Sequence, residues 1–172
     1  GTPADPALFG LAAWTLPLYS ASLTYGPGAQ TFYGVLARSS QSVTITTLGT
    51  WVTTGGSGPG AGINGMAIYD ESGTLLGQSG DMTTGLQSAG YTEGTLSSSV
   101  NITADTNYYI CYLCNFSTAP ILATNGSSAS PYPNIRGHIA VPVLFGQTSF
   151  PGAFTPGSAT AGSLPLFFTA GE

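Results

Sequence analysis

The sequence predicts an all-β fold: an antiparallel β-sandwich, jelly-roll-like, of about eight strands, with an extended N-terminal arm and long loops. Three observations lead there. Twenty-five glycines and 12 prolines interrupt every stretch long enough for a sustained helix. Short segments alternate apolar and polar residues with the period of a strand. Turn-forming clusters separate those segments at the spacing of a sandwich.

The elements follow in chain order. Residues 1–29 are rich in Pro and Gly yet carry Trp14, Leu16, Leu18 and Tyr19. Disordered linkers hold few aromatics, so this stretch reads as an extended arm with one helical turn near 6–13, and residues 30–172 as a single sandwich domain. A short apolar strand is expected at 31–37. Val43-Thr44-Ile45-Thr46 alternates, and Trp51 shares the parity of Val43 and Ile45, which puts the three on one face. Residues 64–70 place Met66 and Ile68 on one face and Ala67 and Tyr69 on the other. Asp70-Glu71-Ser72-Gly73 then fits a type I turn with Gly73 at positive φ, joining a strand at 75–78 in a hairpin. Strands at 95–102 and 107–115 form the next pair. Between them Ile102, Ala104, Thr106 and Tyr108 fall at every second position, as in a tyrosine corner, where the ring packs at the sandwich end and the hydroxyl bonds backbone upstream. Segments 137–144 and 164–169 complete the set. A Gly/Ser loop at 53–62 and Pro-bearing loops at 127–136 and 147–162 are irregular. Loops this long are functional or packed on something.

Charge excludes several functions. Charged residues make up 5% of the chain, against about 25% in ordinary domains. Arg38 and Arg136 are its only strong cations, there is no lysine, and the net charge is −5. Nucleic acid requires several Lys or Arg to displace phosphate counterions, so it is excluded as a partner, and anionic membrane surfaces are disfavoured on the same ground. No apolar run reaches the roughly 18 residues of a membrane helix, so membrane insertion is not expected. A surface of Ser, Thr, Gly, Asn and Gln suits protein packing or carbohydrate contact. The chain begins at Gly1, which reads as an excised domain or processed product.

Each motif that could carry chemistry has a structural explanation. Cys111 and Cys114 lie in a Tyr-rich strand, where residues three apart face opposite ways with Cα atoms roughly 10 Å apart, beyond disulfide reach. Core packing accounts for both. His138 is the only histidine, and no Gly-x-Ser-x-Gly elbow accompanies it, so no catalytic residue is assigned. The acidic residues fall mostly at turns: Asp70 and Glu71 in the hairpin, Asp105 before Tyr108, Asp81 in a loop. A calcium loop built on Asp70 and Asp81 lacks EF-hand spacing, so no metal or cofactor is expected. Asn101, Asn115 and Asn125 match the glycosylation pattern by chance in so Ser/Thr-rich a chain. The loop aromatics remain. Tyr132, Phe150 and Phe154 are the candidate binding residues, as amphipathic rings anchor interfaces and sugars; the alternative is that they cap the sandwich ends.

The order of features also resembles a known group. Ala12-Ala13-Trp14-Thr15-Leu16-Pro17 is followed by the Val43–Leu48 strand and by Met66-Ala67-Ile68-Tyr69-Asp70-Glu71-Ser72-Gly73-Thr74-Leu75-Leu76. Tyr108-Tyr109-Ile110-Cys111-Tyr112-Leu113, Thr118-Ala119-Pro120 and Leu164-Pro165-Leu166-Phe167 come after. From about Leu11 onward the series is similar to the β-sandwich modules of virion proteins in phages of actinobacteria, of the minor tail, tail fibre or capsid-surface (decoration) type. That resemblance implies a non-enzymatic viral protein on the surface of an extracellular particle, structural or for host attachment. It implies packing as a homo-oligomer such as a trimer, or against other virion proteins, with contact to a host-surface glycan. The apolar arm would suit packing on a neighbouring subunit. The competing readings are a carbohydrate-binding module with a jelly-roll fold and, motivated only by His138 and the many hydroxyls, a hydrolase.

Overall fold

The structure is a computed structural model of the 172-residue chain and describes residues 5–15, 21, 23–125, 134–135, 138–162 and 164–172. Its strands are β1 (Leu11–Trp14), β2 (Leu23–Tyr25), β3 (Thr31–Arg38), β4 (Val43–Thr54), β5 (Ser57–Pro59), β6 (Gly65–Asp70), β7 (Leu75–Gln78) and β8 (Gly90–Ile102). After them come β9 (Asn107–Leu113), β10 (Phe116–Thr118), β11 (Ile121–Thr124), β12 (Asn134–Ile135), β13 (His138–Ile139), β14 (Pro142–Phe145), β15 (Thr160–Ala161) and β16 (Phe168–Gly171). Helical structure among the described residues is confined to 3-10 turns at Pro6–Phe9 and Pro156–Ser158 and one short α-helix, α1 (Thr83–Leu86). No described helix is long and apolar enough to cross a membrane.

Two antiparallel six-stranded sheets form the expected sandwich. The front sheet runs β1-β16-β4-β11-β2, with β8 along the other edge of β4. The back sheet runs β15-β14-β3-β9-β6-β7. Between them lies a core of Ile45, Leu48, Val52 and Phe168 from the front and Val35, Met66, Ile68, Ile110 and Tyr112 from the back. A bridge between Ser79 and Leu96 ties the back sheet to β8, so the two layers curl toward a half-barrel. The strands outnumber the expected eight because short pairs such as β5 with β10 order segments that read as loops.

Two local predictions are met in atomic detail. In the β6–β7 hairpin, Asp70 Oδ1 accepts from the backbone N–H groups of Ser72 and Thr74 at 3.0 and 2.9 Å. Gly73 takes φ of +89°, and a Cβ there would lie 2.0 Å from the Phe154 carbonyl oxygen, so only glycine fits. Burial raises the Asp70 pKa, but bonds from Ser72, Thr74 and Gly73 outweigh it and leave the carboxyl below its ordinary range. In the tyrosine corner, the Thr103 N–H donates to the Tyr108 hydroxyl at 2.9 Å.

Three expectations are corrected. Two stretches of the segment read as an arm are part of the front sheet: β1 pairs with β16 and β2 with β11, and Leu11, Ala12 and Ala13 are buried. Leu11, Ala12 and Ala13 are thus satisfied within the chain, whereas Leu8, Phe9 and Leu23 stay exposed; Leu16, Leu18 and Tyr19 lie outside the described residues. Trp51 does not share a face with Ile45. Pairing of β4 with β8 slips between Ile45 and Thr47, and inward positions pass from odd to even: Ile45, then Leu48, Thr50 and Val52. Trp51 consequently points outward, 42% exposed.

The third correction concerns Phe150 and Phe154, which are buried at 7% and 9% exposure. The 147–162 loop lies across the outer face of the back sheet. That face is apolar, with Phe32, Ala67, Tyr69, Tyr109, Cys111 and Leu113 forming a second core. Phe154 meets the rings of Phe32, Tyr69 and Tyr109 edge-on at 5.3, 5.2 and 5.4 Å. Bonds from Leu75 N to Gly152 O, from Phe154 N to Gly73 O and from Tyr69 Oη to Pro151 O hold the loop down. The loop is packed on its own sheet, and its two phenylalanines are unavailable to a ligand. Tyr132 lies outside the described residues.

Candidate functional site

Among the described residues, the outer face of the front sheet has no such cover. Beyond the slip in β4, the outward residues are Thr47, Gly49 and Trp51; β8 adds Tyr91 and Glu93, and β16 adds Thr169 and Gly171. The 3-10 turn at Pro6–Phe9 stands along one side. Asp5 Oδ1 accepts from Ala7 N at 3.0 Å, Pro6 opens the turn, and Gly10 ends it at φ +69°. Phe9 then packs on Trp14 at 5.9 Å between ring centroids, and Trp14 on Phe167 at 6.4 Å. Together these residues enclose an open groove of about 530 Å³.

The floor is built by cross-strand contacts. Trp51 and Tyr91 sit directly opposite each other on β4 and β8, and at 42% and 39% exposure both offer ring surface to solvent. Tyr91 reaches over β4 to share a 2.6 Å hydrogen bond with Thr169 Oγ1 on β16. It can cross because the strand beneath is Gly49; a Cβ there would stand 2.5 Å from the Tyr91 hydroxyl and 2.6 Å from Thr169 Oγ1. Burial pushes the Tyr91 hydroxyl up to about 12; the Thr169 bond pulls it down and the charge of Glu93 adds to the rise. The phenol is therefore neutral and works as a hydrogen-bonding group. Thr47 Oγ1 donates to Glu93 Oε2 at 2.7 Å, and Gln41 Nε2 donates to Glu172 Oε1 at 3.0 Å at the groove's end. A second hollow of about 300 Å³, lined by Ala21, Leu23, Thr24, Thr53 and Ala123, lies on the other side of Trp51 and Phe167.

The groove combines aromatic faces, neutral hydroxyls and two carboxylates. No Lys, Arg or His is among the described residues that line it. The residues suspected of chemistry lie elsewhere. Cys111 belongs to the outer cluster of the back sheet and Cys114 to the sandwich core, so they face opposite ways as the strand period requires, and both are free thiols. Burial raises both thiol pKa values. Asp70 is occupied by its turn, and Asp81 Oδ1 accepts from Thr83 N at 3.1 Å at the start of α1. Among the described residues, no cluster of three His, Cys, Asp or Glu side chains could hold a metal. His138 lies on β13, but its side chain falls outside the described set.

The sequence reading missed Trp51, Tyr91 and Glu93 as site residues. It placed Trp51 beside Ile45, and it started β8 at residue 95, leaving Tyr91 and Glu93 in a loop; the strand begins at Gly90. The alternation Tyr91, Glu93, Thr95 against Thr92, Gly94, Leu96 was the available signal. No protein-family model matches the chain, and no curated protein matches it.

Proposed function

We propose that the chain is a non-enzymatic structural and attachment domain of a phage particle, of the tail-fibre, minor-tail or capsid-surface type, with the front-sheet groove as its contact surface. One observation carries the attachment part. The back sheet is sealed by the chain's own 147–162 loop, whereas the front sheet exposes Phe9, Trp51 and Tyr91 around a groove. Exposed aromatics gathered around a hollow are the chemistry of contact. The particle setting rests on the sequence resemblance. Of the segments that carry it, those on the β6–β7 hairpin and β9 are framework, while those that include Trp14, Thr47 and Phe167 reach the groove.

The proposal of a homo-oligomer such as a trimer loses the arm as support, because β1 and β2 pair within the chain. Packing against other virion proteins does not depend on the arm. A carbohydrate-binding module is the second reading, favoured by the same groove. The test is to raise antibodies against the purified domain and image labelled particles, then ask whether free domain competes with particle adsorption to host cells. Labelled particles and blocked adsorption support the reading. Labelling without competition leaves a structural role only. Absence from particles refutes the virion assignment and favours a free-standing module.

A further inference from the structure

We infer that the groove takes a neutral glycan, with sugar rings laid against Trp51 and Tyr91 and hydroxyls bonded by Glu93 and Thr47; this rests on the reading of the groove as the contact surface. Four candidate occupants can be compared by charge. An anionic glycan, bearing uronate or phosphate, would meet Glu93 and Glu172 with no cation among the described lining residues to receive it. A second copy of this chain would cover those carboxylates with a surface that has no lysine and only two arginines, and Arg38 already lies 3.8 Å from Asp105. Covering a carboxylate without a counter-charge is strongly unfavourable. A cationic group would be welcome electrostatically. However, the ring surface lies along the sheet, and Trp51 and Phe167 are shared walls of two successive hollows. That layout fits an elongated ligand better than a compact ammonium.

A neutral sugar chain meets each requirement. Its C–H faces are apolar and pack on an aromatic plane, while its hydroxyls both donate and accept. Glu93 has one oxygen held by Thr47, so its carboxylate is oriented before a ligand arrives. The Tyr91 to Thr169 bond fixes the second ring in the same way. The floor is thus pre-formed, and binding orders few side chains.

The test titrates the purified domain with neutral gluco-, manno-, galacto- and arabino-oligosaccharides and with polygalacturonate oligomers, by calorimetry and by the fluorescence of Trp14 and Trp51, the only tryptophans. The expected result is binding of at least one neutral oligomer, a fluorescence change, and a loss of roughly tenfold or more in Trp51→Ala and Tyr91→Ala. Trp51→Phe should recover part of that loss, and Phe145→Ala, at a side chain 67% exposed on the back sheet, should change nothing. Unchanged neutral-sugar affinity in Trp51→Ala and Tyr91→Ala would overturn the site. Tighter binding of the uronate oligomers, or binding of tetramethylammonium alone, would overturn the ligand class. So would a concentration-dependent dimer that Trp51→Ala abolishes. If no sugar binds while the wild-type domain, but not Trp51→Ala, blocks particle adsorption, the glycan inference fails and the contact-surface reading stands. If neither occurs, both fail.

Discussion

Replacing Phe154 by alanine should reveal how much of the molecule's stability depends on a loop. Phe154 is 9% exposed and touches three aromatic rings within 5.4 Å. Truncating a buried phenylalanine costs about 3–5 kcal/mol, depending on how far the surroundings collapse into the space. The loop can settle toward the sheet, so the lower end, about 3 kcal/mol, is expected. For a chain of this size that corresponds to a fall in Tm of roughly 6–12 °C. Urea denaturation followed by near-UV circular dichroism gives the midpoint and slope. A cavity with the loop in place lowers the midpoint at constant slope, whereas release of the loop also lowers the slope, because the native state then buries less surface. Phe145→Ala is the control, with a change within about 0.5 kcal/mol. If Phe154→Ala behaves like Phe145→Ala, the second core makes no contribution and the account of the loop is refuted.

Other consequences can be checked on the same material. Tyr108→Phe removes the acceptor of the Thr103 N–H and should cost about 1–2 kcal/mol, with faster hydrogen exchange at the Thr103 amide; unchanged exchange would argue against the corner. Because the folded Asp70 carboxyl titrates below its ordinary 3.8, its stabilisation is present above that pH and is lost as pH falls through the folded value. The Tm difference between wild type and Asp70→Asn should therefore shrink on acidification from pH 6 to about pH 3, and a constant difference would contradict the assignment. Cys111 and Cys114 should resist Ellman's reagent in the native protein at pH 8 and react in denaturant, with no disulfide on oxidation; rapid labelling of the folded chain would show that the strand opens.

The framework was legible where one residue type had one local task. Asp70 and Gly73 specify their turn from four positions, and Tyr108 specifies the corner from its spacing to Ile102. The positions of Cys111 and Cys114 followed from strand periodicity alone. The groove was illegible because it depends on where strands meet. A slip in the pairing of β4 with β8 carries no mark in composition, and it decides on which side Trp51 falls. Phe150 and Phe154 looked like surface aromatics because they sit in a loop. What buries them is the apolar outer face of the back sheet, whose rows of Tyr69, Tyr109 and Cys111 become recognisable as a second core only once β6 and β9 are paired.

The slip in β4 has a further meaning for how such a domain can change. One strand holds the sandwich together through Ile45 and presents Trp51 to the outside, and the two duties are kept apart by one irregularity in pairing between Ile45 and Thr47. Point substitutions at 47 or 51 rewrite the contact surface without touching the interior, whereas 49 is held to glycine by the Tyr91 ring above it. A single-residue deletion between 45 and 47 would remove the irregularity and restore plain alternation, leaving Ile45, Leu48, Thr50 and Val52 inward and Trp51 outward. Diversification of this surface is thus open to base changes at 47 and 51, while a one-residue insertion or deletion between Leu48 and Trp51 would carry Trp51 to the inner face.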